Sequence, residues 1–442
     1  MSHDSPPTES LTDHTVSLGT ADPAASLPER GPLRDRLADA AVVGLGEATH
    51  GTREFFELKG QFIRHMVAEL DCRLVALEAN FPETLAVNEY IVHGEGDPEA
   101  ALDGIYFWTW NVEAVRDLIE WLRAFNAERP PDDRVRFHGV DVQYTTGAVD
   151  RLRDFLREAD PALLDRVDPD LATVDGRGVP AHQDEDASDA AAAATELVPR
   201  LRDRIRENRE AYVRATSERD AAFAERFVTV IDRATDYRVA VREWDAAGAP
   251  EDDLPSRALY IRDKAMAENA AWLLERTPTE RIALWAHDSH LNRVGRRRRT
   301  EIAGPSAGTR LAERYGEEYL AVGFSFGGGE FQAIAPTEDA DDERTLRRVS
   351  VPRSETGAFD DALGATGHAV AFLDVRGALA DGERELADWL GHPCRTFETG
   401  VTYDPSTPED ALTEYRYAEA FDAVYYVDST TRARPLSSDS NE

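Results

Sequence analysis

The chain has 442 residues, two cysteines and a formal net charge of −35. A length of this order allows one large α/β unit or two to three average domains. With 85 acidic residues against 50 basic ones, no broad positive face is available to follow a phosphate backbone, so the composition argues against nucleic acid as a partner. Because the acidic residues are spread along the whole chain, we interpret the charge as a solvated, halophile-type acidic surface suited to concentrated salt.

The N-terminus and the cysteines indicate the compartment. Residues 1–7 lack the basic and apolar stretches of a signal peptide, and no apolar run in the sequence approaches membrane-spanning length. Cys72 and Cys394 lie far apart and match neither a disulfide pattern nor a thiolate metal pattern. We therefore expect a cytoplasmic protein that is neither exported nor bound to a membrane.

In chain order, the sequence begins with a Ser-, Thr-, Pro- and Asp-rich segment, residues 1–30, which we expect to be flexible, as we do the tail 435–442. Short apolar runs typical of strands follow, at residues 41–45, 73–77, 135–140, 282–286, 319–324, 369–373 and 423–427. Helical patterns separate most of these runs, which predicts an α/β fold with a largely parallel sheet covered by helices.

Residues 151–254 differ in texture from the rest of the chain. Arg, Glu, Asp and Ala surround amphipathic stretches there, which predicts a helical insertion. The insertion divides an α/β core formed by residues 31–150 and 255–434.

The segment 42–52 is the most informative part of the sequence. An apolar run stops at two glycines, and Glu47 and His50 then stand three residues apart, just before a helix that we expect to begin near Thr52. Polar side chains that follow a buried strand collect at the carboxyl edge of an open α/β sheet, where ligands bind. This segment therefore predicts a functional site rather than packing.

Other apolar runs end in the same way. His287 and His290 follow the run 282–285. Glu78 follows the run 73–77, and Asp141 ends a further strand. By the strand-end rule, we expect these side chains to share one pocket with the preceding segment. In the alternative interpretation, the glutamates only cap helices or pair with nearby basic residues.

Two familiar patterns are present but incomplete. The third glycine of a dinucleotide-binding G-x-G-x-x-G falls at Thr49, so that fingerprint fails. Gly323–Gly327 matches the G-x-S-x-G nucleophile pattern, but glycines and a further apolar run follow it where a helix is needed. We therefore expect a glycine-rich hairpin there and do not expect Ser325 to be a nucleophile.

Several residues are candidates for substrate binding. Trp108 and Trp110 would either wall an apolar pocket or pack in the core. Arg53 and Lys59, on the predicted first helix of the core, would add a positive field near the site. The basic run 296–299 fits a solvated loop better than an anion site.

Taken in order, these motifs resemble those of the erythromycin esterase family. The resemblance extends over residues 40–330 and is carried by Gly46–Thr52, Glu54–Phe56, Lys59, Leu77–Ala79, His138–Gln143, Arg262–Asn269, Trp285–His290 and Gly323–Gly327, with a weaker echo at Phe421–Val424. It implies a three-layer α/β/α core, hydrolysis of macrolide lactones and a role in antibiotic resistance. The functional positions that it implies are Glu47, His50, Glu78, His287 and His290, with a basic position at Lys59, whereas Asp141 remains a weaker candidate from the strand-end rule alone.

One position departs from the family pattern. Asp288 stands where the family usually has Asn after the first histidine of Trp-Ala-His. An ionised Asp can only accept hydrogen bonds, so the local bonding there differs from that of an amide.

The sequence thus predicts a carboxylic ester hydrolase that needs no cofactor and no serine nucleophile. His50, oriented by Glu47 or Glu78, would take a proton from the water that attacks an ester or lactone carbonyl. His287 or His290 would stabilise the oxyanion or protonate the leaving alkoxide.

Two alternatives use the same residues differently. The histidines and glutamates would suffice for a divalent-metal-dependent hydrolase that holds zinc or manganese. Alternatively, the chain would bind a small hydrophobic molecule or haem without catalysis. The expected partner in every case is a small molecule, and the oligomeric state does not follow from the sequence.

Overall fold

A computed structural model of the chain describes residues 6–27, 32–246, 256–298, 301–337 and 344–436. In these ranges the strands are β1 (Thr15–Ser17), β2 (Val42–Leu45), β3 (Leu74–Asn80), β4 (Arg136–Asp141), β5 (Ile282–Trp285), β6 (Arg296–Arg298), β7 (Glu301–Gly304), β8 (Tyr319–Phe326), β9 (Gly329–Pro336), β10 (Arg344–Val351), β11 (Val370–Leu373), β12 (Cys394–Phe397), β13 (Leu412–Tyr415) and β14 (Ala423–Val427).

The α-helices of the same ranges are α1 (Thr8–Asp13), α2 (Pro32–Asp39), α3 (Arg53–Glu69), α4 (Leu85–His93), α5 (Pro98–Asp103), α6 (Glu113–Ala127), α7 (Thr146–Ala159), α8 (Pro161–Val174), α9 (Ala187–Glu207), α10 (Arg209–Ala215), α11 (Glu218–Ala246), α12 (Ser256–Leu274), α13 (Asp288–Leu291), α14 (Ala307–Tyr315), α15 (Ala358–Gly364), α16 (Val375–Ala380), α17 (Arg384–Leu390) and α18 (Tyr417–Ala420).

One eight-stranded sheet organises the molecule, in the order β1-β11-β14-β8-β2-β5-β3-β4. From β14 to β4 all neighbouring strands are parallel, and β11 runs antiparallel to both of its neighbours. The strands predicted from the seven apolar runs are confirmed, as is the largely parallel α/β fold. A buried parallel strand needs apolar residues on both faces, which makes such runs easy to recognise.

Alternate residues of the central strands enter two separate cores. Val42 and Leu284 belong to one hydrophobic cluster, and Val43 and Ala283 belong to the other. Helices α3 and α6 cover the second cluster, whereas α7, α9, α11 and α12 cover the first. The three-layer α/β/α arrangement follows from this alternation.

Between β4 and β5, the described residues form helices and the loops that join them, with no strand among them. Helices α7 to α11 lie within or at the edge of the predicted insertion 151–254, and residues 247–255 are outside the described ranges. None of the described helices is long and apolar enough to cross a membrane.

Part of the N-terminal segment 1–30 is structured, contrary to the expectation of flexibility. Residues 15–17 form β1, which pairs with β11 and completes the edge of the sheet, so its backbone groups are satisfied by the ladder. At the other end, Leu436 donates its backbone N–H to the Asn111 carbonyl, and residues 437–442 lie outside the described ranges.

The expected hairpin after Gly323–Gly327 is wrong in its pairing. Strand β9 does follow, but it pairs with β10 instead of β8. Gly328 and Gly329 have φ of 122° and 129°, and this turn redirects the chain out of the large sheet. Ser325 is buried, and its hydroxyl donates to Asp360 at 2.5 Å.

Candidate active site

The predicted site residues meet at the carboxyl edge of four adjacent strands. Leu45 at the end of β2 is in register with Trp285 at the end of β5, and Leu77 on β3 is in register with the same tryptophan. The loops that follow β2 and β5 therefore start at the same level. Glu78 and Asp141 belong to the neighbouring strands β3 and β4.

Two glycines let the loop after β2 pack closely against its neighbours. A Cβ on Gly46 would lie 1.7 Å from Oδ1 of Asp288, and one on Gly51 would lie 2.0 Å from the backbone oxygen of Gln332. Any larger residue would push the loop out of place. These contacts explain both glycines in the motif around Glu47 and His50.

Glu47, His50, Lys59 and Trp285 form what we call the Glu47 cluster. The His50 Nδ1–H donates to Glu47 Oε1 at 2.6 Å. The other carboxylate oxygen accepts from the Lys59 ammonium and from the Trp285 indole N–H at 3.0 Å. The ammonium also lies 4.2 Å from the centroid of the Trp285 ring, which adds a cation–π contact.

The charges of this cluster compensate one another. Burial raises the pKa of Glu47, but the Lys59 ammonium and the His50 hydrogen bond lower it more, so the carboxylate is ionised. Burial lowers the pKa of Lys59 to about 8, against the raising effect of Glu47. Glu47 is thus a fixed anion that orients the imidazole of His50.

His50 is the histidine of the site whose second nitrogen is open. Its side chain is 11% exposed, compared with 5% for His287 and 3% for His290. Nδ1 faces Glu47, and Nε2 makes no hydrogen bond to any residue that the structure describes. An acceptor lone pair on Nε2 follows, because the proton on Nδ1 is fixed by the carboxylate.

Glu78, Asp141, Arg262, Asp263 and His290 form a second group, the Glu78 cluster. The Arg262 guanidinium donates to Asp141 at 2.7 Å and to Glu78 at 2.8 Å. The His290 ring lies between two carboxylates, with Nδ1 2.6 Å from Asp263 and Nε2 3.0 Å from Glu78. Two carboxylate acceptors require two N–H donors, so the geometry fits His290 as an imidazolium.

Glu78 also reaches the loop after β5. Its Oε2 accepts the backbone N–H of His287 at 2.9 Å. Burial raises the pKa of Glu78, but His290 and Arg262 outweigh this effect and hold it well below its ordinary value. The carboxylate is therefore ionised, and its oxygens are used to fix the two histidines after β5.

His287 packs against His50, with ring centroids 4.8 Å apart. Its Nε2 lies 3.0 Å from the Thr399 carbonyl, which can only accept, so Nε2 carries the proton. Nδ1 accepts from Ser289, whose Oγ is 3.0 Å away. Burial lowers the pKa of His287 to about 3, so this ring is neutral.

The remaining candidates lie around this centre. The Arg53 guanidinium pairs with Glu57 at 2.7 Å and, with it, lines a groove of about 630 Å³ between α3 and α6. Trp110 is buried and packs edge-on against Trp285, with centroids 5.5 Å apart. Trp108 is partly buried. Lys59 is therefore the basic candidate that contacts the site, and Trp110 belongs to the core beneath it.

The basic run 296–299 lies only partly within the residues that the structure describes. Residues 296–298 form β6, and Arg299 lies outside the described residues.

The structure adds residues to which the sequence analysis gave no role in the site, although Arg262 and Asp263 open the motif Arg262–Asn269. Arg262 and Asp263 come from α12, and Glu398 lies after β12 with Oε1 3.4 Å from Nδ1 of His287. The available signal for the first two residues was the motif Arg262–Asn269 itself, since Arg262 and Asp263 are buried although charged side chains seldom are. Glu398 has no local signal, because its position depends on the distant β12–β13 pair.

The same geometry bears on a divalent metal. Within the described ranges, no three His, Cys, Asp or Glu side chains are arranged to hold an ion. Nδ1 of His50 and Nδ1 of His290 are directed at carboxylates, and Nε2 of His287 is directed at a carbonyl, instead of at a common point. The residues as arranged do not fit a metal centre.

Comparisons with known proteins identify relatives of the chain. The erythromycin esterase family model matches residues 67–430. Among curated proteins, erythromycin esterase type II of Escherichia coli is 23% identical over 370 residues, which cover 79% of this chain and 84% of that protein.

Solved structures show the same fold. A crystal structure of a Bacillus cereus protein matches with a TM-score of 0.77 and 23% identity, over 97% of this chain and 98% of that one. A mutant of the erythromycin esterase EreC in its open conformation matches with a TM-score of 0.67 and 18% identity, over 92% and 94%. The family match spans most of the sequence, so the chain belongs to the erythromycin esterase family, and this membership supports a hydrolase.

Proposed function

We propose that the protein hydrolyses an ester or lactone of a small molecule, with a macrolide-type lactone as the candidate substrate, and that His50 activates the water. The single observation that carries this proposal is the pairing of Nδ1 of His50 with Glu47, which leaves Nε2 as an open acceptor. Ionised Glu47 stabilises the imidazolium that forms when Nε2 takes a proton.

The reaction needs one proton-transfer group. Nε2 of His50 accepts a proton as the water oxygen attacks the carbonyl carbon. The ester C–O bond then breaks, and the same nitrogen returns the proton to the departing alkoxide. His287 and His290 do not transfer protons in this proposal, because their ring nitrogens are occupied by Thr399, Ser289, Asp263 and Glu78. They contribute by their positions around His50.

No serine nucleophile is part of the proposal. Ser325 donates its hydroxyl to Asp360, whose carboxylate also accepts from Thr396 and two backbone N–H groups. Buried in that network, Ser325 serves the packing of β8 against α15. A role in resistance to macrolide antibiotics belongs to the same proposal and depends on the substrate.

His50→Asn tests the assignment. Asn keeps an N–H that can reach Glu47 but has no titratable nitrogen, so we expect kcat to fall by about 10²–10⁴-fold with the fold preserved. Hydrolysis of a panel of esters and lactones, including a macrolide, is measured in concentrated salt, which screens the acidic surface. Circular dichroism checks the fold.

The matched control is His93→Asn, at an exposed histidine of α4, which should keep native activity. Turnover by the native protein after exhaustive chelation supports the metal-free route. Equal hydrolysis by His50→Asn and the native protein would reject the assignment, and so would a native protein that cleaves nothing in the panel.

A further inference from the structure

Asp288 joins the two loops that carry the histidines. It begins α13, and its backbone N–H donates to the Glu47 carbonyl at 3.0 Å. Its Oδ2 accepts the backbone N–H of Phe324 on β8 at 2.9 Å. The side chain is buried, so Asp288 ties the loop after β5 to the loop after β2 and to the neighbouring strand.

The other carboxyl oxygen of Asp288 is buried against Gly46 without a hydrogen bond. Oδ1 lies 1.7 Å from the position that a Cβ on Gly46 would take, and it has no partner among the residues that the structure describes. A buried carboxylate with one hydrogen bond is strongly disfavoured, whereas a neutral carboxylic acid is buried at much lower cost.

The surroundings of Asp288 are poor in positive charge. Six titratable groups face it, each from a different element. They are Glu47 in the loop after β2, Lys59 on α3, Tyr319 on β8, Glu398 after β12, Tyr415 on β13 and Tyr417 on α18. Lys59 is the cation of this set, and its ammonium is bonded to Glu47. Burial, then Glu398, raises the pKa of Asp288 well above its ordinary value.

We propose that Asp288 is a positioning residue that keeps its proton at neutral pH and holds the Glu47 and His287 loops together as a neutral carboxylic acid. Its carbonyl oxygen accepts from Phe324, and its hydroxyl lies on the side of Gly46. Loss of this proton at alkaline pH would add a negative charge beside Glu47 and Glu398 and would push apart the loops that hold His50 against His287.

Asp288→Asn tests the protonation state, because the amide has nearly the same shape and cannot ionise. A raised pKa in the folded state stabilises the native protein at low pH, and this contribution is lost as the pH rises through that pKa. The thermal midpoint of the variant minus that of the native protein should therefore increase from pH 4 to pH 9. The ratio of their kcat values should increase in the same direction.

Asp288→Ala is the matched variant and should lower the midpoint at every pH, since it removes the acceptor for Phe324. Carboxyl ¹³C NMR of the native protein requires no variant, and we expect one aspartate signal to stay at the shift of a protonated acid at pH 7. A pH-independent difference between Asp288→Asn and native protein, or the absence of that signal, would overturn the proposal. The activity ratio rests on the proposed hydrolysis, whereas the midpoint and the NMR signal do not.

Discussion

The Glu47 cluster and the Glu78 cluster use similar groups in opposite ways. In the Glu47 cluster, one carboxylate is held by an ammonium and an indole, and the attached imidazole keeps one nitrogen open. In the Glu78 cluster, three carboxylates surround a guanidinium and an imidazole, and both ring nitrogens are bonded. Both clusters contain a histidine. The reactive cluster differs from the scaffold because its histidine has a ring nitrogen without a hydrogen-bond partner among the described residues.

The comparison predicts different consequences for changes in the two clusters. A change in the Glu78 cluster leaves buried charges without partners and should lower stability first. A change in the Glu47 cluster alters the group that orients His50 and should lower kcat more than stability. Both expectations follow from which atoms remain paired after the change.

The largest effect on stability is expected for Arg262→Met, which removes the cation that bridges Glu78 and Asp141. Two buried carboxylates then lose their common partner, and we expect the free energy of unfolding to fall by about 3–5 kcal/mol. Urea denaturation in concentrated salt measures this loss. The control is Arg257→Met on the same helix as Arg262, where an exposed ion pair joins Arg257 to Glu243 of α11; it should change stability by less than about 1 kcal/mol.

A loss no larger for Arg262→Met than for this control would show that the Glu78 cluster does not act as a scaffold. The midpoint must be compared at one salt concentration, because the net charge of −35 makes stability depend on screening.

Lys59→Met should have the next largest effect, with a different signature. Glu47 stays buried but keeps two neutral donors, so we expect a loss of about 3 kcal/mol. Without the ammonium the pKa of Glu47 rises, because burial is then opposed only by weaker groups. The orienting anion is lost near neutral pH, and kcat should fall even where the protein remains folded.

The double variant Glu47→Gln with Lys59→Met separates the two roles of this pair. It removes both charges and should recover most of the lost stability, since neither charge is left unpaired. It should not recover kcat, because a neutral amide cannot stabilise the His50 imidazolium. Recovery of kcat together with stability would mean that the ion pair matters only for folding.

The two clusters also show how far sequence can reach. The strands were recognisable because buried parallel strands are short apolar runs, and the strand-end rule then gathered Glu47, Glu78, His50 and the histidines after β5 at one edge. The pairing of β9 with β10 escaped the same reasoning. A glycine turn can start a hairpin or release the chain from the sheet, and local sequence does not distinguish these outcomes.

The chemistry within the site was less accessible to sequence. The occupied nitrogens of His287 and His290 depend on Thr399, Ser289 and Asp263, two of which come from elements distant in the chain. No periodicity encodes such contacts, since they arise when helices and loops pack. The sequence therefore predicted His50 as the base, but it left open whether Glu47 or Glu78 orients His50 and which groups occupy the nitrogens of His287 and His290.

The smallest predicted effect concerns Glu83, a buried carboxyl outside both clusters. Its Oε1 accepts the Gly147 N–H at 3.0 Å, and its Oε2 has no partner among the described residues. Burial raises its pKa to about 7, whereas the pKa values of Glu47 and Glu78 are lowered. Cationic neighbours therefore decide the direction of the shift for a buried carboxyl.

Glu83→Gln keeps the acceptor for Gly147 and cannot ionise, which makes the expected effect depend on pH. The raised pKa means that Glu83 destabilises the native protein progressively as the pH rises from 4.5 to about 7. At pH 8 the variant should be more stable than the native protein by about 1–3 kcal/mol, and near pH 4 the two should be equal. The control Glu158→Gln, at an exposed position of α7, should show no such dependence. An equal gain for Glu83→Gln at both pH values would mean that burial does not raise the pKa of Glu83.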